Sequence, residues 1–199
     1  MEIELKLGPA GKDVALALYN DTDLLPPAGA EEVIPMKTIY YDTPDRDFAA
    51  RKETLRLRQE GDRSVCCFKT ALQGLSRLEA EQEAATIEEG AARLAALAEL
   101  PPEAAAALKT GVFVPVCGAA FTRRTRLCRA EGALFHLCLD EGQLLKGTLS
   151  APLCEIELEL CEGDPAALER LEAVLTARYG LPRCALSKQQ RAMALEEAR

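Results

Sequence analysis

Two stretches in which charged and apolar residues strictly alternate constrain this chain more than any other feature. They are residues 2–7, EIELKL, and residues 155–160, EIELEL. Side chains on a β-strand alternate between faces, so each stretch places its charges on one face and Ile/Leu on the other. Same-face residues stand about 6.5–7 Å apart, and two such carboxylates can serve one divalent cation or a pair of cations.

Basic residues follow the same pattern elsewhere in the chain. Arg56, Arg58 and Lys69 lie on comparable alternating stretches. Acidic strands and basic strands in one small domain predict an enclosed site for a metal bound to a polyanion.

The periodicity predicts a chain of α+β class. Strands are expected at residues 1–8, 37–42, 53–60, 64–71, 76–83, 119–130, 133–140, 143–149 and 152–161. Helices are expected at 11–25, as an insertion of two short helices within 87–110, and at 164–180, where Asp164 and Gly180 form the end signals. These elements predict an eight-stranded antiparallel barrel with a charged lumen and with helices packed outside, the reverse of an ordinary apolar-filled small barrel. At 199 residues, 1–199 is expected to form a single domain.

Composition narrows the class of partner. The net charge of −8 disfavours extended binding to nucleic acid but not to a small polyanion held by local Arg and Lys. No signal peptide and no apolar run long enough to span a membrane is recognisable, so a cytoplasmic protein without membrane contact is expected. The eight cysteines lack zinc or CxxC spacing and are expected to be free thiols, with Cys66-Cys67 divided between core and lumen.

The charged residues that are candidates for the metal and polyanion site differ in sign from strand to strand. An alternative is that each strand merely presents a solvated charged face, as antiparallel sheets often do. That alternative weakens because nearly every strand carries same-face charges whose sign depends on the strand. An all-oxygen ligand set favours Mg²⁺, Mn²⁺ or Ca²⁺ over zinc. The candidates are Glu2, Glu4, Glu79, Glu81, Asp140, Glu155, Glu157 and Glu159, with Lys6, Arg56, Arg58, Lys69, Arg77, Arg123 and Lys188.

Other catalytic classes find little support in the sequence. There is no GxxxxGK[ST] loop, which excludes a P-loop nucleotide enzyme. No Cys/His nucleophile arrangement is recognisable. His136, the one histidine, alternates with Cys138 and Asp140 toward the lumen, but a lone histidine is more often a bystander than a ligand.

The order of the motifs resembles the CYTH, or triphosphate tunnel metalloenzyme, superfamily, and within it the CYTH domain of bacterial inorganic triphosphatases. The opening residues 2–6 resemble the ExExK signature of that family. The resemblance covers essentially the whole chain, through YYDTP at 40–44, LRLR at 55–58, FKT at 68–70, GLSRLE at 74–79, LDEG at 139–142, CEIELEL at 154–160 and LSK at 186–188.

The resemblance implies a tunnel that hydrolyses triphosphate with Mg²⁺ or Mn²⁺. It assigns Glu2, Glu4, Lys6 and Arg58 to catalysis. It implies a phosphate cradle of Lys6, Arg56, Arg58, Lys69, Arg77, Arg123 and Lys188, with Glu79 and Glu81 on one wall. It implies metal ligation by Glu2, Glu4, Asp140, Glu155, Glu157 and Glu159. The family usually offers two basic residues two apart near Phe121; here Thr125 takes the second place, so either the register slips toward Arg124 and Arg126 or one cation fewer is used.

The expected mechanism uses two cations. One, held by Glu4, Glu155 and Glu157, bridges phosphate oxygens, and another activates a water for in-line attack, with Glu2 or a neighbour accepting the proton. Inorganic triphosphate is the expected substrate, because the chain has no Trp and only nine Phe plus Tyr to stack on a base. Alternatives are a thiamine or nucleoside triphosphatase, a CYTH-type adenylate cyclase, or a polyphosphate-binding module without turnover.

Overall fold

Antiparallel strands in one sheet dominate the computed structural model of the chain, which describes residues 3–9, 11–71 and 77–197. The hydrogen-bonded order of its eight strands is β1-β8-β7-β6-β2-β3-β4-β5, so the predicted class is confirmed. Within the described residues, the edge strands β1 and β5 do not pair, and the sheet is a curled half-barrel. The strands are β1 (Glu4–Leu7), β2 (Pro27–Asp42), β3 (Thr54–Glu60), β4 (Arg63–Ala71), β5 (Arg77–Glu83), β6 (Val114–Ala130), β7 (Ala133–Lys146) and β8 (Leu149–Glu162).

The helices fall largely where the sequence predicts them. α3 and α4 are the two short helices of the 87–110 insertion. At the start of α5 the Ala166 N–H donates to the Asp164 side chain over 3.0 Å, and Gly180 ends the helix in the left-handed conformation. The helices are α1 (Lys12–Tyr19), α2 (Asp47–Ala50), α3 (Ile87–Leu94), α4 (Pro102–Lys109), α5 (Ala166–Tyr179) and α6 (Lys188–Met193). None of the helices in the described ranges has the length and apolar character needed to cross a bilayer.

Three expected elements have different bounds. The helix expected at 11–25 ends at Tyr19, with turns following it. β2 begins at Pro27 rather than near Lys37, because its first half pairs with β6. The separate strand expected at 143–149 is wrong: β7 runs unbroken through Gly142, where a Cβ would lie 2.2 Å from the Ala120 carbonyl oxygen, so glycine permits the close approach of β6.

Two apolar clusters cover the convex face of the sheet. The first joins the apolar face of β1, β7 and β8 to α1 and α5, and Leu5, Leu137 and Leu158 are buried in it. The second joins β3, β4 and β5 to α2, α3 and α4 around Phe48 and Phe68, whose ring centroids lie 5.5 Å apart. Burying the apolar positions outward leaves the charged positions of the same strands on the concave face.

α6 is an exception to the expectation that helices pack outside. It packs on the concave face, where Ala192 is buried with Met36, Tyr40 and Phe121. One part of the expected charged lumen is therefore apolar and carries this helix.

Candidate active site

The concave face encloses a cavity of about 790 Å³. Residues of β1, β2, β3, β4, β6, β8 and α6 line it, among them Lys6, Arg58 and Glu157. The strand register brings these residues together, because Glu4 pairs with Glu159 and Lys6 with Glu157 across β1 and β8. Alternation on the strands turns all four side chains toward the concave face.

Asp140, Glu155 and Glu157 form a group that we call the buried acidic cluster. Each offers a carboxylate oxygen within 4.8 Å of the others, and all three residues are buried. Three close carboxylates repel one another unless cations compensate them. Lys188 supplies one such charge, since its Nζ lies 2.7 Å from Asp140 Oδ2 and 3.0 Å from Glu157 Oε1 and also pairs with Glu155.

Glu4, Glu157 and Glu159 form a second group, the open acidic cluster. Glu4 is 31% exposed and accepts a 2.8 Å hydrogen bond from Lys6 Nζ. The expected trio of Glu4, Glu155 and Glu157 is therefore divided: Glu4 and Glu155 lie in different clusters that share Glu157. The cause is the antiparallel register, which places Glu4 opposite Glu159 at one end of the acidic run of β8.

The basic candidates of β3 and β4 face the acidic wall of β5. Arg56 lies 3.4 Å from Glu79 and 3.7 Å from Glu81. Arg58 lies 3.7 Å from Glu81, and Lys69 Nζ lies 2.7 Å from Glu79. Arg58 also pairs with Glu60. Without a polyanion, these carboxylates of β5 compensate the charge of the basic strands.

Arg123, not Arg124 or Arg126, faces the concave side. Its guanidinium donates two hydrogen bonds of 2.8 Å to Asp140, one of 3.1 Å to Glu159 and one to Glu157. The guanidinium groups of Arg124 and Arg126 instead lie over the ring of Tyr19, on the convex side. The register does not slip, and the position two residues on holds Thr125, whose hydroxyl contacts Cys138 Sγ at 3.2 Å.

The cations around the buried acidic cluster keep its central carboxylate ionised. Burial opposes ionisation of Glu157, but Lys188, Arg123 and Lys6 outweigh burial and hold its pKa well below the usual range. For Glu155 burial dominates and raises the pKa. Burial likewise disfavours the charged form of Lys188, yet the surrounding carboxylates raise its pKa.

Arg191 is a site residue that the sequence did not identify. It lies on α6, 14% exposed, and its guanidinium donates to Glu155, whose side chain is fully buried. The spacing of Lys188 and Arg191, three apart on a helix, was the available signal, since such residues share a face. Nothing in the sequence, however, indicates that this face docks on the cavity.

The remaining residues considered from the sequence are either not described, exposed, or free cysteines on the two faces of the sheet. Glu2 lies outside the described residues, as does the side chain of Arg77. His136 is exposed near the start of β7. All eight cysteines are free; Cys66 is buried in the convex core, and Cys67 lies on the concave side, 3.2 Å from Glu79.

A smaller cavity of about 440 Å³ opens elsewhere on the sheet. Lys37, Gln59 and Glu141 contribute its polar lining, and Lys12 Nζ lies 3.1 Å from Glu141. It has neither the paired acidic clusters nor the basic strands. The larger, concave cavity is therefore the candidate active site.

Comparisons with known proteins agree with this geometry. The chain is 30% identical over 127 residues to the inorganic triphosphatase of Haemophilus influenzae, which matches 63% of this chain and only 36% of that protein's length. Among solved structures, HpAC1 from Hippeastrum, for which a dominant triphosphatase activity is described, superposes with a TM-score of 0.67 at 20% identity over 99% of this chain and 98% of that one. The PH1819 protein of Pyrococcus horikoshii OT3 gives 0.59 at 22% identity, covering 96% and 97%. Residues 1–193 match the CYTH domain family, and the chain is thus a member of that family.

Proposed function

We propose that the chain is a metal-dependent triphosphatase that hydrolyses inorganic triphosphate to diphosphate and phosphate in the concave cavity. The observation that carries the proposal is the division of one cavity of about 790 Å³ into a carboxylate side and a guanidinium/ammonium side. A triphosphate with its cation needs both sides at once. The related inorganic triphosphatase of Haemophilus influenzae supports the same substrate class.

The donor set fits a hard divalent cation. The two acidic clusters offer only carboxylate oxygens, which suit Mg²⁺ or Mn²⁺ better than zinc. Oε1 of Glu155 is fully buried and pairs with the Lys188 ammonium, so this carboxylate already holds a positive charge at the position proposed for the cation. Asp140, Glu155 and Glu157 are the proposed ligands on one side, and Glu4 and Glu159 on the other, with Glu2 a further candidate. A bound cation supplies Lewis-acid stabilisation of phosphate oxygens and a water of lowered pKa.

The basic residues bind and orient the phosphate chain. Arg56, Arg58 and Lys69 exchange their contacts with the carboxylates of β5 for phosphate oxygens, for which guanidinium forks are well matched. Lys6 lies between the sides, 2.8 Å from Glu4 and 3.7 Å from Glu157, and so contacts both the proposed metal ligands and the substrate. These charges stabilise the negative charge that develops in phosphoryl transfer.

The lining supports a substrate without a base. Its aromatic side chains, within the described part of the cavity, are Tyr40 and Phe121. Tyr40 is only 5% exposed, and the Phe121 ring is already covered by Lys188 at 5.1 Å and Arg123 at 6.0 Å. Neither ring is available to stack on adenine or thiamine.

The test is release of phosphate from inorganic triphosphate, with ATP and thiamine triphosphate in parallel, under Mg²⁺, Mn²⁺, Ca²⁺ and EDTA. We expect chelator-sensitive release from triphosphate in preference to both organic substrates. Glu157→Gln should lower kcat/KM by on the order of 100-fold or more, since partners one shell beyond a metal ligand are already worth up to about 100-fold. Glu141→Gln, on the opposite face of β7, is the matched control and should retain activity. No release from any triphosphate would refute hydrolysis and favour a binding module.

A further inference from the structure

Arg191 reaches the candidate metal site from a helix rather than from a strand. Its guanidinium contacts Glu155, while Lys188 on the preceding turn of α6 contacts all three carboxylates of the buried acidic cluster. Two positive charges from one short helix thus lie where the proposed divalent cation would bind.

The helix that carries Arg191 is firmly docked. Ser187 and Gln190 form a capping box at its start. Gln189 accepts a 2.8 Å hydrogen bond from Thr54, and Lys146 Nζ donates to the Met193 and Leu195 carbonyls at 2.6 and 2.9 Å. Exchange at Glu155 therefore needs only a side-chain movement, with α6 remaining in place.

The contact between Arg191 and Glu155 is incompletely satisfied. Arg191 Nε is buried without a hydrogen-bond partner in the described structure, and Arg191 pairs with Glu155 alone, a carboxylate that Lys188 also contacts. Arg123 differs, because it binds Asp140 through two parallel 2.8 Å hydrogen bonds and reaches two further carboxylates. Lys188 is also held more firmly, by three carboxylates and by the Phe121 ring. Of these three cations, Arg191 therefore breaks the fewest contacts when it moves away from the buried acidic cluster.

We propose that Arg191 is an internal counter-ion that occupies Glu155 in the metal-free protein and gives way to the divalent cation, so that it sets the metal affinity of the site. The inference rests on the proposed function for the identity of the metal site. The reason is charge: a fully buried carboxylate requires a positive partner at all times, and a guanidinium and a divalent cation on the same carboxylate repel each other. Arg191, together with Lys188, keeps Glu155 compensated without metal, at the expense of weaker metal binding.

The test measures Mn²⁺ binding without substrate, by electron paramagnetic resonance of free Mn²⁺ and by calorimetry with Mn²⁺ or Mg²⁺. We expect Arg191→Gln to bind Mn²⁺ at least about tenfold more tightly than the wild type. Arg191→Met keeps the aliphatic stem and should also bind Mn²⁺ more tightly than the wild type. It replaces Arg191→Gln in the test if the glutamine variant misfolds. Arg191→Lys retains the charge and should stay within about threefold of wild type. Arg170→Gln is the matched control, because Arg170 is an exposed arginine of α5 that pairs with Glu131, and it should not change the affinity.

A second readout concerns the stability of the metal-free protein. Arg191→Gln should lower the melting temperature without metal, because Glu155 loses a partner, and saturating Mn²⁺ should restore most of the difference. Unchanged or weaker Mn²⁺ binding in both neutral variants would overturn the proposal. Because neither readout uses substrate, a protein that binds Mn²⁺ as expected but releases no phosphate would contradict the proposed hydrolysis and leave the role of Arg191 supported.

Discussion

Replacement of Arg123 by Met tests how the concave charges support one another. The substitution removes a guanidinium that is 13% exposed and that contacts Asp140, Glu157 and Glu159, and Asp140 is fully buried. Breaking a buried ion pair by removing one partner costs about 3–5 kcal/mol, because the remaining charge is left uncompensated. Lys188 still lies 2.7 Å from Asp140, so we expect the lower end, about 3 kcal/mol.

The assay is thermal and urea denaturation of the metal-free protein. For a chain of this length, about 3 kcal/mol corresponds to a fall in Tm of roughly 6–12 °C. Mn²⁺ should recover part of the loss, because a cation bound by the same carboxylates replaces the missing charge. The control is Arg124→Met on the convex side, where the side chain is 30% exposed and pairs with Glu31; it should cost no more than about 1 kcal/mol.

A loss below about 1 kcal/mol in Arg123→Met, or a larger loss in Arg124→Met, would mean that Arg123 is not the buried counter-charge of the acidic clusters. Such a result would also contradict the strand register that turns Arg123, rather than Arg124, to the concave face.

Three further predictions concern other parts of the chain. Lys6→Ala and Arg58→Ala should both raise KM for triphosphate and lower kcat, and wild-type kinetics in either would contradict their place in the phosphate cradle. Gly142→Ala should destabilise the protein by about 2 kcal/mol or more in urea denaturation, because its Cβ would meet the backbone of β6, whereas the unobstructed Gly11→Ala should not. A hydrogen bond from the Tyr179 hydroxyl lowers the pKa of Asp21, so Asp21 stabilises the fold above the unfolded pKa of about 4, and this stabilisation is lost as pH falls through the lower folded pKa. Denaturation curves from pH 6 to 2 should therefore show a steeper loss of stability for wild type than for Asp21→Asn, and parallel curves would contradict this role.

Strict alternation explains why much of the sheet was predictable. β8 carries Glu155, Glu157 and Glu159 on one face, so both its existence and its orientation follow from the sequence. The first half of β2 could not be found this way, because residues 27–32, PAGAEE, lack alternation and begin with the second proline of a proline pair. That segment is a strand only because β6 supplies its partners. Similarly, Gly142 resembles a turn in sequence but is a point of close strand approach.

The candidate site was predictable as far as strand faces allow. Lys6, Arg56, Arg58 and Lys69 line the cavity as expected, since each lies on an alternating strand. The division of the carboxylates into two clusters depends on the register of β1 against β8, which local sequence does not encode. Arg191 depends on the docking of α6 on the concave face, a tertiary event with no periodic signal.

A crystal structure with Mn²⁺ and a non-hydrolysable triphosphate analogue, with the metal located by its anomalous signal, tests directly whether the concave cavity is the active site. We expect Mn²⁺ among Asp140, Glu155 and Glu157 or at the neighbouring cluster of Glu4, Glu157 and Glu159, with phosphate oxygens on Arg56 and Arg58. Mn²⁺ and analogue bound in the smaller cavity beside Lys37, with the concave carboxylates still paired to Lys188 and Arg191, would contradict it.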